Sequence, residues 1–164
     1  MKTLIESLNK LLMASVPGCA IEVDAPERAA GNSWIDVRAG KKHVTLEYRP
    51  QKGFGIFHKA VGFGEGPAEV YRTPKLAARR LTQLLRSDKG KRSRLTLKDL
   101  RELYECSQEK LAKRVGVKQS AISRFEHRGE VKIGTLAAAV KALGGELEVR
   151  ARFADSDVAI SMGD

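Results

Sequence analysis

Residues 107–128 read SQEKLAKRVGVKQSAISRFEHR. From Gln108 to Val115 the apolar residues Leu111, Ala112 and Val115 fall at helical spacing and make one buried face. Ser107 is suited to cap that helix, because its hydroxyl can accept a bond from a free backbone N–H. Gly116 is suited to end it, since glycine tolerates the left-handed backbone that a sharp turn needs. Val117 is expected to plug the angle, and Gln119–His127 forms a second helix with Ala121, Ile122 and Phe125 inward. Its outward residues are then Gln119, Ser120, Ser123, Arg124 and Arg128. Two short helices joined by a tight turn, the second with a polar outer face, make a helix-turn-helix layout, which presents its second helix to the DNA major groove. An ordinary helical hairpin with charged faces is the plainer alternative.

The residues Gln108, Leu111, Ala112, Val115, Gly116, Val117, Gln119, Ser120, Ile122, Ser123, Arg124 and Glu126 resemble the xenobiotic-response-element helix-turn-helix family, the Cro/C1 or lambda-repressor-like type. The resemblance covers roughly residues 95–155. It implies that Gln108 braces a phosphate and that Lys118, Gln119, Ser120, Ser123 and Arg124 read bases. Lys118 departs from the pattern, since the family usually has Ser or Thr there. Losing that cap costs ~0.5–2 kcal/mol, and a lysine there opposes the helix dipole; a neighbouring phosphate or guanine would make sense of it. Lys113, Arg114, Arg128 and Lys132 are the further phosphate candidates. Seven basic residues face three acidic ones between Ser107 and Lys132.

Charge over the whole chain agrees. A net charge of +10 on 164 residues suits a polyanion, either nucleic acid or an anionic membrane surface. No apolar run is long enough to span a bilayer, and 42% hydrophobic residues supply a folded core. The first twenty residues resemble a lipoprotein signal only faintly, because Glu6, Asn9 and Lys10 interrupt the apolar stretch. They suit an amphipathic helix with Leu4, Ile5, Leu8, Leu11 and Leu12 on one side. Cys19 and Cys106 show no paired spacing and are expected as reduced, partly buried thiols of a cytoplasmic protein.

The expected fold class is α+β. Residues 1–86 form a domain of unassigned role in the order α-β-β-β-β-α, with strands at Ala20–Asp24, Trp34–Arg38, Val44–Arg49 and Gly55–His58. Ala39–Lys42 is a hairpin turn. Thr73 caps a last helix begun by Pro74, with Leu76, Ala77, Leu81, Leu84 and Leu85 buried. The glycines of the two Gly-Phe-Gly repeats, at Gly53 and Gly62, are read as turn residues, since neither a phosphate loop nor a dinucleotide fingerprint is present. Residues 87–94 are a basic linker, either phosphate-contacting or simply solvated. In residues 95–145, Leu97, Leu100, Leu103 and Tyr104 line a first helix, and Leu136, Ala139, Val140 and Leu143 a last one.

Residues 146–164 turn to strand character, with Leu147, Val149, Ala151 and Phe153 on one face. A lone hairpin is marginal in water, so that face needs cover. A second copy would supply it, as the resemblance to HipB-like and HigA-like regulators implies; packing on the N-terminal domain is the alternative. No catalytic residue, metal site or cofactor nominates itself, because His43, His58 and His127 stand at no ligand spacing. The expected function is a sequence-specific regulator, a dimeric repressor on a palindromic double-stranded operator with half-sites ~34 Å apart. The alternative is an antitoxin that binds a toxin protein and represses its own operon.

Overall fold

The computed structural model describes residues 2–25, 31–57, 66–86, 95–128 and 131–160. The chain divides into two compact units, Met1–Arg94 and Leu95–Asp164. The expected basic linker lies outside the described residues, as do His58, Gly62 and Phe63.

The first unit runs α1 (Lys2–Ser15), β1 (Ala20–Asp24), β2 (Ser33–Ala39), β3 (Lys42–Arg49), β4 (Gly53–Phe57), β5 (Glu69–Tyr71) and α2 (Pro74–Arg86). The strands form one antiparallel meander in chain order. Period-2 alternation sends Ile35, Leu46 and Ile56 to one face as a cross-strand row, with Tyr48, Phe54 and Tyr71 as the next. All six are buried, together with Ile5, Leu8 and Leu12 of α1 and Ala77, Leu81 and Leu85 of α2. Each such side chain contributes ~1.5–3 kcal/mol. Leu4 and Leu11 depart from expectation. They flank the stripe of α1 and are about 40% exposed, because a 14-residue helix presents only Ile5, Leu8 and Leu12 squarely to its support.

The sheet has five strands rather than the four expected. β5 is three residues long, too short to show alternation, and tertiary contacts hold it. Arg80 of α2, 3% exposed, donates from Nε and Nη2 to Glu69 at 2.8 and 2.7 Å. The Tyr71 hydroxyl donates to the same carboxylate at 2.6 Å. Gly53 and Gly55 belong to strand β4 itself and not to turns. A Cβ on Gly53 would lie 2.4 Å from the Tyr71 carbonyl oxygen, and one on Gly55 would lie 2.7 Å from the Pro67 ring. On the sheet face opposite the helices, His43 Nε2 lies 2.6 Å from Asp36 Oδ1.

The second unit runs α3 (Leu97–Leu103), α4 (Gln108–Val115), α5 (Gln119–Arg128), α6 (Ile133–Ala142), β6 (Val149–Arg152) and β7 (Asp157–Ile160). Thr96 and Asp99 cap α3 reciprocally, each side chain bonding the other's backbone N–H. The core joins Leu97, Cys106, Leu111, Ala112, Ile122 and Ala139, with Val115, Phe125, Leu136 and Leu143 against it. Tyr104 is 47% exposed and so lies outside this core.

Candidate nucleic-acid interface

Local signals set the angle between α4 and α5. Ser107 Oγ accepts from the Lys110 N–H at 3.2 Å, and Gly116 takes a left-handed φ of 76°. The Val117 N–H then returns to the Ala112 carbonyl at 3.0 Å, the closing bond of a Schellman turn. Val117 acts through its backbone, and as a residue it is 36% exposed.

A chain of side-chain hydrogen bonds locks the two helices. Glu126 of α5, with a side chain 2% exposed, accepts from Arg101 Nε at 2.6 Å and Nη2 at 3.1 Å. Arg101 also donates from Nη1 to the Cys106 carbonyl at 2.8 Å. Gln108 Nε2 donates to Glu126 Oε2 at 2.8 Å, and Gln119 Nε2 to Gln108 Oε1 at 2.6 Å. Burial would raise the Glu126 carboxyl, but the bonds from Arg101 and Gln108 outweigh it and hold the group below the ordinary 4.5. The hydrogen bond to Glu126 raises Arg101 in turn. Bidentate charge-assisted pairs of this kind fix geometry as well as energy.

Hydrogen-bonding capacity remains on both glutamines. Each amide nitrogen carries two protons. Gln119 commits one to Gln108, which leaves one N–H and its carbonyl oxygen, the pair that an adenine edge requires. Gln108 likewise commits one N–H to Glu126 and keeps the other.

On α5 the structure leaves Gln119, Ser120, Arg124 and Arg128 exposed and Ser123 partly exposed, with Lys118 exposed just before them. His127 joins this surface and was missed by sequence reasoning; its spacing of four from Ser123 was the available signal. Its Nδ1 lies 2.8 Å from the Ser123 carbonyl. A carbonyl only accepts, so Nδ1 carries the proton and Nε2 is the outward nitrogen.

Lys113, Arg114 and Lys132 are exposed. Arg114 already donates from Nη1 to the Ala142 carbonyl at 2.9 Å, closing the end of α6. Lys132 stands at the N-cap of α6 and makes no side-chain cap bond. The division of charge differs from what the total suggests. Residues 1–94 hold 18 basic and 9 acidic side chains, whereas residues 95–164 hold 12 and 11. The helix-turn-helix unit is thus nearly neutral overall, and its basic residues act locally.

In the C-terminal hairpin Val149 pairs with Ile160 and Ala151 with Val158. Those four share a face with Phe153, while Arg150 bonds Glu148 and Asp157 on the other. Phe153 is 60% exposed, Ile160 49% and Val158 46%, so this apolar face is open in the single chain.

Residues 97–149 match the helix-turn-helix family. The chain belongs to that family through this domain. Solved structures similar to it include a DNA-bound antitoxin HigA3, at 30% identity over 43% of this chain and 95% of the other, with a TM-score of 0.40. Another is a HigA antitoxin described by induced DNA bending through unique dimerization, at 33% identity over 40% and 91%, with a TM-score of 0.37. No curated protein matches the chain. No helix among the described residues is long and apolar enough to cross a membrane.

Proposed function

We infer that the protein is a sequence-specific DNA-binding regulator acting as a dimeric repressor. One observation carries this reading: the outer surface of α5 displays Gln119, Ser120, Ser123 and Arg124 on a helix held in place by the Arg101–Glu126–Gln108–Gln119 chain. Preset side chains spend less entropy on ordering when they meet a base edge. In this reading Lys118 and Arg124 supplement Gln119 as base readers, and Gln108, Lys113, Arg114, Arg128 and Lys132 meet phosphates. Arg114 would reach DNA only by sharing its guanidinium with the Ala142 carbonyl.

The open face of Leu147, Val149, Ala151 and Phe153, extended by Val158 and Ile160, supplies the dimer contact. A twofold pair holds two α5 helices one DNA turn apart, which calls for a palindromic operator. Cys19 and Cys106 are buried free thiols, which suits a cytoplasmic setting. The test is selection of bound fragments from randomised duplex DNA. The expected outcome is an inverted repeat with half-site centres ~34 Å apart; recovery of unrelated fragments would reject sequence-specific reading.

A second reading, an antitoxin whose partner is a toxin protein, is favoured by the separate N-terminal domain, which no step of DNA reading uses. Co-purification of the full chain with the product of a neighbouring gene tests it.

A further inference from the structure

We propose that the N-terminal domain binds a small amino carboxylate, the chemical class of the α-amino acids, in a cavity on the sheet face opposite its helices. This goes beyond the regulator reading and does not depend on it. The cavity has a volume of about 290 Å³, at the lower end of the ~300–1,000 Å³ of small-molecule pockets.

Its origin lies in the strand register. Trp34, Glu47, Gly55 and Val70 form one cross-strand row on that face, and Arg49 and Gly53 lie opposite each other in the next. Gly53 and Gly55 carry no side chain, and neighbours close over them, the Tyr71 carbonyl at Gly53 and the Pro67 ring at Gly55, with the cavity beside them. Pro67 closes one side of the gap, Val70 another, and Glu47, Arg49 and Lys52 supply the polar wall.

That wall is incompletely satisfied. Glu47 is 3% exposed. Its Oε1 accepts from Asn32 Nδ2 at 2.7 Å. Its Oε2 forms an ion pair with Arg49 Nη2 at 2.8 Å, yet makes no well-directed hydrogen bond, and buried Arg49 Nε has no acceptor among the described residues. Buried polar groups are nearly always hydrogen-bonded, and exceptions call for a partner.

The missing partners define the ligand. Oε2 has lone pairs to spare beyond its ion pair with Arg49 Nη2, and Arg49 Nε beside it lacks an acceptor. Lys52 adds a second cation at the same wall, so an ionised carboxylate fits that oxygen better than a neutral carbonyl. An ammonium next to a carboxylate meets both demands in one small molecule. Pro67 and half-exposed Val70 leave apolar contact for a short side chain.

The chain has a single tryptophan, and it pairs with Glu47 in the sheet, so its emission reports on the cavity. Full-length protein is titrated with each α-amino acid, and with the matching amine and deaminated acid as controls. The expected result is a saturable emission change and calorimetric heat for at least one amino acid, and for neither of its controls. Val70→Phe fills the cavity from an exposed position, and Lys52→Glu reverses the charge meeting the carboxylate. Both should keep the wild-type urea midpoint and DNA binding while weakening the ligand roughly tenfold or more. Absence of binding up to ~10 mM, a range that captures even millimolar affinity, would mean that water alone completes the wall, and would overturn the proposal. Affinity unchanged in both folded variants would place the ligand elsewhere and overturn it equally. DNA binding measured on the same samples keeps this outcome separate from the regulator reading.

Discussion

Gln119 and Arg124 carry the discrimination in the proposed interface. A bidentate contact to adenine or guanine contributes ~1–3 kcal/mol against the wrong base. Gln119→Ala and Arg124→Ala should each weaken operator binding by about that amount and random-sequence binding by much less, in competition gels run on both DNAs. Equal losses would remove them as readers. Lys118 offers a test in which stability and binding move in opposite directions. Its carbonyl accepts from the Ala121 N–H at 2.9 Å, so it occupies the N-cap of α5, where a serine side chain would satisfy a free N–H. Lys118→Ser should gain ~0.5–2 kcal/mol in urea unfolding and lose operator affinity. A variant that gains stability and still binds fully would show that Lys118 does not reach DNA.

At the scale of elements, α3 and α5 are joined by the buried Arg101–Glu126 pair. Removing one partner of such a pair leaves a charge without compensation and costs ~3–5 kcal/mol. Arg101→Met should therefore lower the unfolding free energy of the helix-turn-helix unit by that order, measured by urea titration. The sign of the pH effect should also change. In the wild type the Glu126 carboxyl is lower in the folded state than its ordinary 4.5. Its contribution is fully present above that value and is lost as pH falls through the folded value. In Arg101→Met the buried carboxylate has lost its cation, and protonation relieves it. Acidification from pH 6 to ~4 should then spare or stabilise the variant. Parallel acid limbs for the two proteins would show that the pair does not set this dependence.

At the scale of the whole molecule, the proposed dimer covers the hairpin face. Phe153 is 60% exposed and touches no core, so a charge there leaves the single chain intact but would be buried unpaired in a dimer, at a cost of several kcal/mol, about 2–7 even for an uncharged polar group. Phe153→Asp should sediment as a monomer at micromolar concentration, retain the wild-type circular dichroism, and lose tight operator binding. A dimeric variant with full affinity would move the interface to another surface. The charge division belongs to this scale too. With 18 basic and 9 acidic residues in the first unit, long-range attraction to a polyanion is expected to come mainly from that unit and not from the helix-turn-helix unit.

Local chemistry made much of this legible from residues alone. The Ser107 cap, the Gly116 turn and the apolar faces of α4 and α5 are short-range signals, each written within a few positions, and so were the alternation of β3 and the Thr73-Pro74 start of α2. Part of the outward surface of α5 followed from the same periodicity, because a helix that buries Ile122 turns Ser120 and Arg124 away; Gln119, three positions before Ile122, is exposed because it opens the helix. Contacts distant in sequence decided the rest. β5 is held by its pairing with β4 and by Arg80 of α2 reaching Glu69, and no three-residue window records that. The sequence shows Glu126 only as one acidic residue of the stretch; its burial against Arg101, 25 positions earlier, depends on the fold. The cavity beside Glu47 arose from register, since only pairing across three strands sets Gly55 between that carboxylate and Val70. Periodicity and capping are properties of neighbours along the chain; ion pairing, burial and cavities depend on which distant residues meet, and only the tertiary structure determines that.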